Sequence, residues 1–213
     1  MVKPGATRGR SRRFQRSSGQ AGLVAAALVP LVWLGVSALR GTLGANPVET
    51  LEHTTGQWTL RLLLATLSVT PARRALGWSW LAPYRRTLGL LTFAYCTLHL
   101  GIYAFVDLWD AWDTLVEDIL KRPYITVGFS GFLLLVPLAI TSTRAWMRRL
   151  GRRWVVLHRL VYGAGVAGCL HFLWLVKADL QEPLVYAGVL ALLLGARVWP
   201  HVRRATASSS SPL

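Results

Sequence analysis

The chain has few charged residues and very few acidic ones. Of its 213 residues 15% are charged, whereas an average soluble domain is about 25% charged. Nine acidic residues stand against 24 basic ones, which gives a net charge of +15. With 53% hydrophobic residues and a mean hydropathy of +0.41, this composition excludes a disordered chain and indicates a protein embedded in lipid.

Cysteine is also scarce. Cys96 and Cys169 are the only two, both lie within apolar runs, and they form no C-x-x-C pair. The sequence therefore indicates neither a disulfide framework nor a zinc site. Gly163, Gly165 and Gly168 spell G-x-G-x-x-G, but no strand precedes them and they lie mid-run, so they do not indicate a dinucleotide fold. They instead allow a neighbouring helix or a porphyrin face to approach closely.

Long uncharged runs dominate the rest of the chain. A helix needs about 20 apolar residues to cross a bilayer core of about 30 Å. Six runs qualify, of which two are weaker because they contain Arg61 or Arg197, whose long side chain can snorkel to the interface. The predicted spans are 21–39, 54–72, 87–106, 123–143, 160–176 with an extension back to 154, and 183–200. We therefore predict an all-α integral membrane protein with a six-helix transmembrane domain at 21–200, a basic cytoplasmic tail at 1–20 and a second cytoplasmic tail at 201–213.

The first run follows a basic tail, as a secretory signal would. It is 19 residues long, whereas a signal core has about 7 to 15, and no convincing small-x-small cleavage site follows. We expect an uncleaved first helix.

The charges alternate from one side of the predicted membrane to the other. Seventeen basic residues fall in the N-terminal tail and in every second loop, and only Arg40, Lys121, Arg122 and Lys177 fall on the other side, together with all nine acids. Short cytoplasmic loops collect Lys and Arg, so both chain ends are predicted to face the cytoplasm. The net charge is explained by topology, and we expect no nucleic-acid partner.

Three histidines fall within the predicted spans. An imidazole in lipid is costly unless it pairs or binds a ligand, so His99, His158 and His171 are candidate functional residues. His99 lies eight residues before Asp107, and His171 lies eight residues before Asp179. Both spans run outward, so His99 and His171 should lie at the same depth. We expect them to be the two axial ligands of a haem, an arrangement suited to electron transfer.

His158 marks a second, inner level. It precedes His171 by 13 residues, which is about 20 Å along a helix and an azimuth about 140° away, so a tilt or local irregularity is required if both face one side. An inner haem lacks an evident second histidine, because Arg85 stands 14 residues before His99. His201 is a possible partner, although an exposed tail histidine is the simpler explanation. A flavin or quinone site near His158 is an equal alternative.

Arg61 is the one charge deep within a predicted span. It either neutralises haem propionates at the outer level or snorkels outward. His53 belongs to the outer segment that starts at Asn46-Pro47 and is expected to be interfacial.

Together these residues resemble a known family. The matching stretches are Asn46-Pro47, His53-Thr54-Thr55-Gly56, Thr70-Pro71, Arg85-Arg86-Thr87-Leu88-Gly89-Leu90, Leu98-His99-Leu100, Arg122-Pro123-Tyr124-Ile125, Thr141-Ser142-Thr143, Arg148-Arg149-Leu150-Gly151, Leu157-His158-Arg159-Leu160-Val161-Tyr162, and His171 with Trp174-Leu175-Val176-Lys177. Their order and spacing resemble the haem-binding membrane subunits of bacterial periplasmic methionine sulfoxide reductase systems, within the ferric-reductase-like transmembrane cytochromes.

This resemblance implies cofactors and partners that the residues alone do not. It implies haem b, FMN, a bacterial inner-membrane location, and electrons drawn from the quinone pool or a cytoplasmic flavin reductase. The electrons would pass to a soluble periplasmic molybdenum reductase of the MsrP type. The broader family often has two stacked haems, whereas Arg85 departs from that pattern, so one or two haems are expected. Nothing in this chain resembles a site for methionine sulfoxide chemistry.

Two other classes of function remain open at this point. Intramembrane His and Arg residues also serve proton-coupled transporters, although no clear inverted repeat is visible here. A non-redox membrane anchor for a periplasmic enzyme is the third alternative.

Overall fold

A computed structural model describes the backbone of residues 6–176 and 179–209 and the side chains of residues 18–176 and 179–198. Lys177, His201 and the ends of both predicted tails therefore lie outside the described residues or side chains. The helices are α1 (Ala6–Leu39), α2 (Pro47–Leu76), α3 (Tyr84–Ile102), α4 (Thr114–Lys121), α5 (Pro123–Ile140), α6 (Arg144–Leu150), α7 (Arg152–Leu157), α8 (Leu160–Leu175) and α9 (Gln181–Ser209). A 3₁₀ turn, Ser79–Leu81, precedes α3, and a π-helical turn, Tyr103–Asp107, extends it. Every regular element within the described ranges is helical, which confirms the all-α class.

Five segments of the described chain are long and apolar enough to cross a membrane. They are Ser18–Leu39, Tyr84–Asp107, Pro123–Ile140, Arg152–Leu175 and Gln181–Val198. These segments coincide with five of the six predicted spans. The sixth predicted span, 54–72, lies within α2, which is long enough but is not apolar enough to be counted with the other five.

Helix α2 is well enclosed by its neighbours, although it carries several polar side chains. It begins after Asn46, whose side chain caps the Glu49 N–H, and runs for 30 residues. Leu67 and Thr55 are fully buried, and the Thr55, Thr59 and Thr66 hydroxyls donate to carbonyls one turn earlier. These internal hydrogen bonds let polar side chains lie in an apolar interior. Arg61 and the threonines lower the hydropathy of α2, which is why composition alone does not identify it as a span.

The bundle is built from two closely packed helix pairs. Helix α2 packs along α3, and α5 packs along α8, while α9 lies against α8 and α2. The main apolar core joins four helices through Leu60 and Leu67 of α2, Leu135 of α5, Phe172 of α8 and Leu190 of α9. A second cluster joins α1 to α2 and α3, where the Tyr95 hydroxyl donates to the Ala27 carbonyl.

The glycines of α8 make room for neighbouring helices. A Cβ atom added at Gly168 would lie 2.9 Å from a Leu60 methyl group, and one at Gly163 would lie 3.2 Å from a Leu134 methyl group. At Gly165 the nearest atom, 3.2 Å away, is a methyl group of Leu190. The close approach predicted for this segment is therefore confirmed, because side chains of α2, α5 and α9 lie against these glycines.

The span that carries His158 and His171 is not one continuous helix. Helix α7 ends at Leu157 and α8 begins at Leu160, so His158 and Arg159 form a turn between them. Gly151, with φ of 51°, starts α7 in a conformation that favours glycine. The break supplies the local irregularity that the azimuths of His158 and His171 required.

Arg197 points into the bundle instead of snorkelling outward. Its Nη1 donates to the Tyr162 hydroxyl, and its Nη2 donates to the Leu67 carbonyl at 2.7 Å. In a regular helix the Leu67 carbonyl would accept from the N–H of residue 71, but Pro71 has none. Arg197 therefore satisfies a backbone carbonyl that a proline leaves without its usual donor.

We expect Arg197→Met to lower the free energy of unfolding by about 1–3 kcal/mol, because the Leu67 carbonyl loses its donor in an apolar interior. The measurement is the midpoint of unfolding in detergent, with Arg74→Met, an exposed arginine on α2, as control. In a Pro71→Ala background the new N–H can reach the Leu67 carbonyl, so the same substitution should cost less. An equal cost in both backgrounds would contradict this explanation.

Candidate functional site

Helices α3 and α8 bring two imidazoles close together, edge to face. The ring centroids of His99 and His171 are 6.2 Å apart, and the ring planes make an angle of 75°. The two residues therefore lie at the same depth in the bundle, as their equal spacing from Asp107 and Asp179 predicted. Both side chains retain some exposed surface.

The backbone of α2 fixes the orientation of the His99 ring. The Nδ1 atom of His99 lies 3.0 Å from the Glu52 carbonyl oxygen, which can only accept, so Nδ1 carries the proton. The Thr55 hydroxyl oxygen lies 3.3 Å from the same nitrogen and donates its own proton to the Leu51 carbonyl. The Nε2 atom of the neutral ring is thereby left with a free lone pair.

The backbone of α5 does the same for His171. Its Nδ1 donates to the Tyr124 carbonyl oxygen at 2.7 Å, and the Tyr124 ring lies 6.2 Å away, centroid to centroid. Among the described residues, the Nε2 atoms of His99 and His171 have no hydrogen-bond partner. Each histidine therefore presents Nε2 as a ligand while Nδ1 is held by a carbonyl, as metal-binding histidines usually do.

The arrangement fits a metal ion held between two imidazoles. A metal–imidazole bond of about 2 Å, with the ring centroid about 1 Å beyond the nitrogen, puts two ligands on opposite sides of one ion with centroids roughly 6 Å apart. The observed separation of 6.2 Å matches this value. Because only two such ligands converge among the described residues, the donor set suits an ion whose other positions are filled by a macrocycle, as in haem.

A buried carboxyl group adjoins this site. The Oε1 atom of Glu52 is buried without a hydrogen-bond partner among the described residues. Burial, and then the neighbouring carboxylates of Asp107 and Glu49, raise the pKa of Glu52 to about 7. These contacts also show that the start of α2 and the end of α3 lie at the same end of the bundle.

Arg61 lies further along α2, on the surface that faces α9. Its Nε donates to the Tyr186 hydroxyl at 2.9 Å and its Nη2 to Gln57 Oε1 at 3.2 Å, while the guanidinium lies over the Trp58 ring. Gln57 in turn donates to Glu182 at 2.6 Å. Arg61 is exposed and links α2 to α9, and its predicted role beside haem propionates stays a prediction.

The inner histidine has different neighbours. His158 stacks on Trp154 with ring centroids 3.8 Å apart, and its Nδ1 lies 3.2 Å from the Trp154 carbonyl oxygen. Arg85 of α3 is near enough to interact electrostatically with His158, and also with Arg197 and Tyr162. A cationic region therefore adjoins His158, and the structure does not bring a second histidine to it within the described side chains. His201, the partner considered from sequence, lies outside those side chains.

Sequence reasoning missed the residues that hold the two facing histidines. Glu52 and Tyr124 act through backbone carbonyls, which any residue could supply, so their side chains carry no signal. The available signal was a glycine four residues after each of them, Gly56 and Gly128, because a glycine in a helix lets a neighbouring group approach closely. His53, expected to be interfacial, is exposed and its ring lies 5.7 Å from the Phe172 ring.

The fold and the site together define a class of protein. The chain is an apolar helical bundle in which imidazoles from two membrane-crossing segments lie close together, with Nε2 atoms that have no partner among the described residues. Such an arrangement suits a membrane protein that binds a metal ion between two imidazoles.

Comparison with known proteins identifies the family. Residues 21–169 match the family described as ferric reductase like transmembrane component. The protein-methionine-sulfoxide reductase heme-binding subunit MsrQ of Xanthomonas campestris pv. campestris (strain B100) is 53% identical over 196 residues, which cover 88% of this chain and 90% of the relative. The subunit of the same name from Rhodospirillum rubrum is 51% identical over 187 residues, or 87% and 90% of the two chains. No solved structure matches the chain. The chain belongs to the MsrQ family of ferric-reductase-like transmembrane proteins and is a multi-pass membrane protein.

Proposed function

We propose that this protein is a transmembrane electron-transfer subunit that binds haem b through His99 and His171. It takes electrons from the quinone pool or a cytoplasmic flavin reductase. It passes them to a periplasmic molybdenum-containing methionine sulfoxide reductase of the MsrP type, which repairs oxidised periplasmic proteins. The observation that carries the proposal is the pair of facing imidazoles, 6.2 Å apart, on two helices of a chain that belongs to the MsrQ family.

The residues of the outer site hold and orient the cofactor. When bound there, haem supplies a centre that accepts and releases one electron at a time. The Nε2 atoms of His99 and His171 serve as ligands, and the Glu52 and Tyr124 carbonyls fix both rings through Nδ1. A haem held by both imidazoles would have no ligand position left for a small molecule, so the site would favour electron transfer. Arg61 is assigned to the propionate groups of this haem.

The inner region receives the electrons. His158 and Arg85 are assigned to an inner cofactor, either FMN or a second haem, and His158 is its metal ligand in the second case. The cations Arg85 and Arg197 beside Tyr162 suit an anionic group such as a phosphate or a propionate. A donor in the cytoplasm or the quinone pool reaches this side of the bundle.

The proposed topology places both chain ends in the cytoplasm of a bacterial inner-membrane protein. It takes α2 as the sixth span, which is supported by its length of 30 residues and its enclosure by α3, α8 and α9. The distribution of basic residues supports the direction. Acidic residues, among them Asp110, Asp113 and Glu117, then face the periplasm, where they are available to the partner reductase.

The test is a reduced-minus-oxidised optical spectrum of the purified full chain, with a pyridine haemochrome titration for haem per chain. About one b-type haem per chain is expected if the inner cofactor is FMN, and about two if it is haem. A chain without haem after haem-replete expression would overturn the proposal. A transporter or a non-redox membrane anchor would then be the remaining alternatives.

A further inference from the structure

The contacts of the two facing histidines recur at a constant interval along the chain. His99 and His171 differ by 72 positions. Their carbonyl partners, Glu52 and Tyr124, also differ by 72, and so do Gly56 and Gly128. Three residues around one histidine therefore correspond to three residues around the other at a single interval.

The same interval relates whole helices. A shift of 72 positions brings α2 onto the segment that contains α5, and α3 onto the segment that contains most of α8. The pairs α2–α3 and α5–α8 are the two that pack most extensively in the described part of the bundle. Other residues also repeat at this interval: Thr54 and Thr126, Leu62 and Leu134, Leu63 and Leu135, Leu88 and Leu160, Leu98 and Leu170, and Asp107 and Asp179. Both pairs run in the same order along the chain, so the relation is a direct repeat of a helix pair.

In each pair a glycine on the first helix lies against the imidazole of the second. A Cβ atom at Gly128 would lie 2.6 Å from His171 Nδ1, a distance that real Cβ atoms do not show. A Cβ atom at Gly56 would lie 3.2 Å from His99 Cε1. Each glycine follows its carbonyl by four residues, one helical turn, so carbonyl and glycine lie on one face.

We propose that α2–α3 and α5–α8 are two copies of one haem-ligand unit, in which a carbonyl–glycine pair on the first helix positions the imidazole of the second. The positioning pairs are Glu52 with Gly56 and Tyr124 with Gly128. The carbonyl fixes the protonated Nδ1, and the glycine lets the ring lie against the helix backbone, which leaves Nε2 as the ligand atom. This inference rests on the proposed role of His99 and His171 as haem ligands.

One difference between the two copies lies directly beside the imidazole, and it is testable. The Thr55 hydroxyl lies 3.3 Å from His99 Nδ1, whereas the equivalent residue in the second copy is Val127. The Nδ1–H group of His99 therefore has two acceptors, whereas that of His171 has one. An additional acceptor makes an imidazole a stronger donor to the metal and favours the ferric state. Thr55→Val makes the first copy resemble the second.

The experiment compares glycine variants of the purified full chain. We expect Gly128→Ala to weaken haem binding roughly 10-fold to 100-fold, since the ring must move, and Gly56→Ala to have a smaller effect in the same direction. The controls are Gly101→Ala on α3 and Gly188→Ala on α9, because a Cβ atom at either position meets nothing within 4 Å. The readouts are haem per chain, the electron paramagnetic resonance spectrum of the oxidised haem, and the unfolding midpoint.

Thr55→Val provides a second test that does not depend on crowding. It should keep the wild-type haem content and shift the reduction potential to more positive values. Thr59→Val is the control, because the Thr59 hydroxyl donates to the Thr55 carbonyl and does not contact a histidine. If Gly128→Ala does not fold, Gly56→Ala and Thr55→Val decide the question.

The outcomes separate this inference from the proposed function. A wild-type chain without haem overturns both. A wild-type chain with haem, together with Gly56, Gly128 and Thr55 variants that match it in haem content, resonance spectrum and potential, overturns only the positioning role. Equal losses in the control glycine variants also overturn it, because the effect would then not be specific to the two pairs.

Discussion

Replacement of His99 or His171 by alanine is expected to abolish the b-type absorption of the outer haem. Each ring supplies one Nε2 that has no hydrogen-bond partner among the described residues, so either substitution leaves a site with a single imidazole. Haem per chain at this site should fall by at least roughly tenfold, since loss of even an outer-shell partner of a ligand costs that much. The measurement is the reduced-minus-oxidised spectrum with a pyridine haemochrome titration.

His53→Ala is the matched control for this prediction. His53 is exposed on α2, one residue from Glu52, and its ring packs on Phe172. Its removal should leave haem content unchanged. Full haem content in the His99 or His171 variant would contradict the assignment of the ligands.

The second large effect is expected at the inner level, where His158→Ala should separate haem binding from electron entry. His158 lies in the turn between α7 and α8, stacked on Trp154, and does not contact the outer pair. The outer haem signal should therefore persist and remain reducible by dithionite. Reduction by a quinol or a flavin reductase should fall strongly, because the inner cofactor loses its histidine.

Arg85→Gln should affect the same step without removing the histidine, because Arg85 contributes charge to the region beside His158. The measurement is the rate of outer-haem reduction by each donor, compared with haem content in the same sample. If substitutions at His99, His158 and His171 all abolished haem equally, the assignment of two separate levels would be wrong.

Much of this architecture can be predicted from the sequence. Uncharged runs identify five helices that the structure shows to be long and apolar enough to cross a membrane. The sixth predicted span, 54–72 within α2, falls short of that standard, because Arg61 and several threonines lie on it. In the structure those threonine hydroxyls are satisfied by the helix itself, and Arg61 by Gln57 and Tyr186.

The depth of the two outer histidines was also predictable, because the rise per residue of a helix is fixed. Each histidine lies eight residues before an aspartate at or beyond the outer end of its span. The rotation of each helix about its axis was not. That rotation brings His99 and His171 within 6.2 Å, and it turns Arg197 inward to the Leu67 carbonyl.

The sequence by itself determined which segments are apolar, where the charges lie and how deep each histidine sits. Only the tertiary structure decided which backbone carbonyls hold the imidazoles, that α7 and α8 part at His158, and that α2 lies at the centre. The physical reason is that hydrophobicity and helical rise are local properties of a segment. Contacts such as that between His171 and the Tyr124 carbonyl join residues 47 positions apart and depend on how the helices pack.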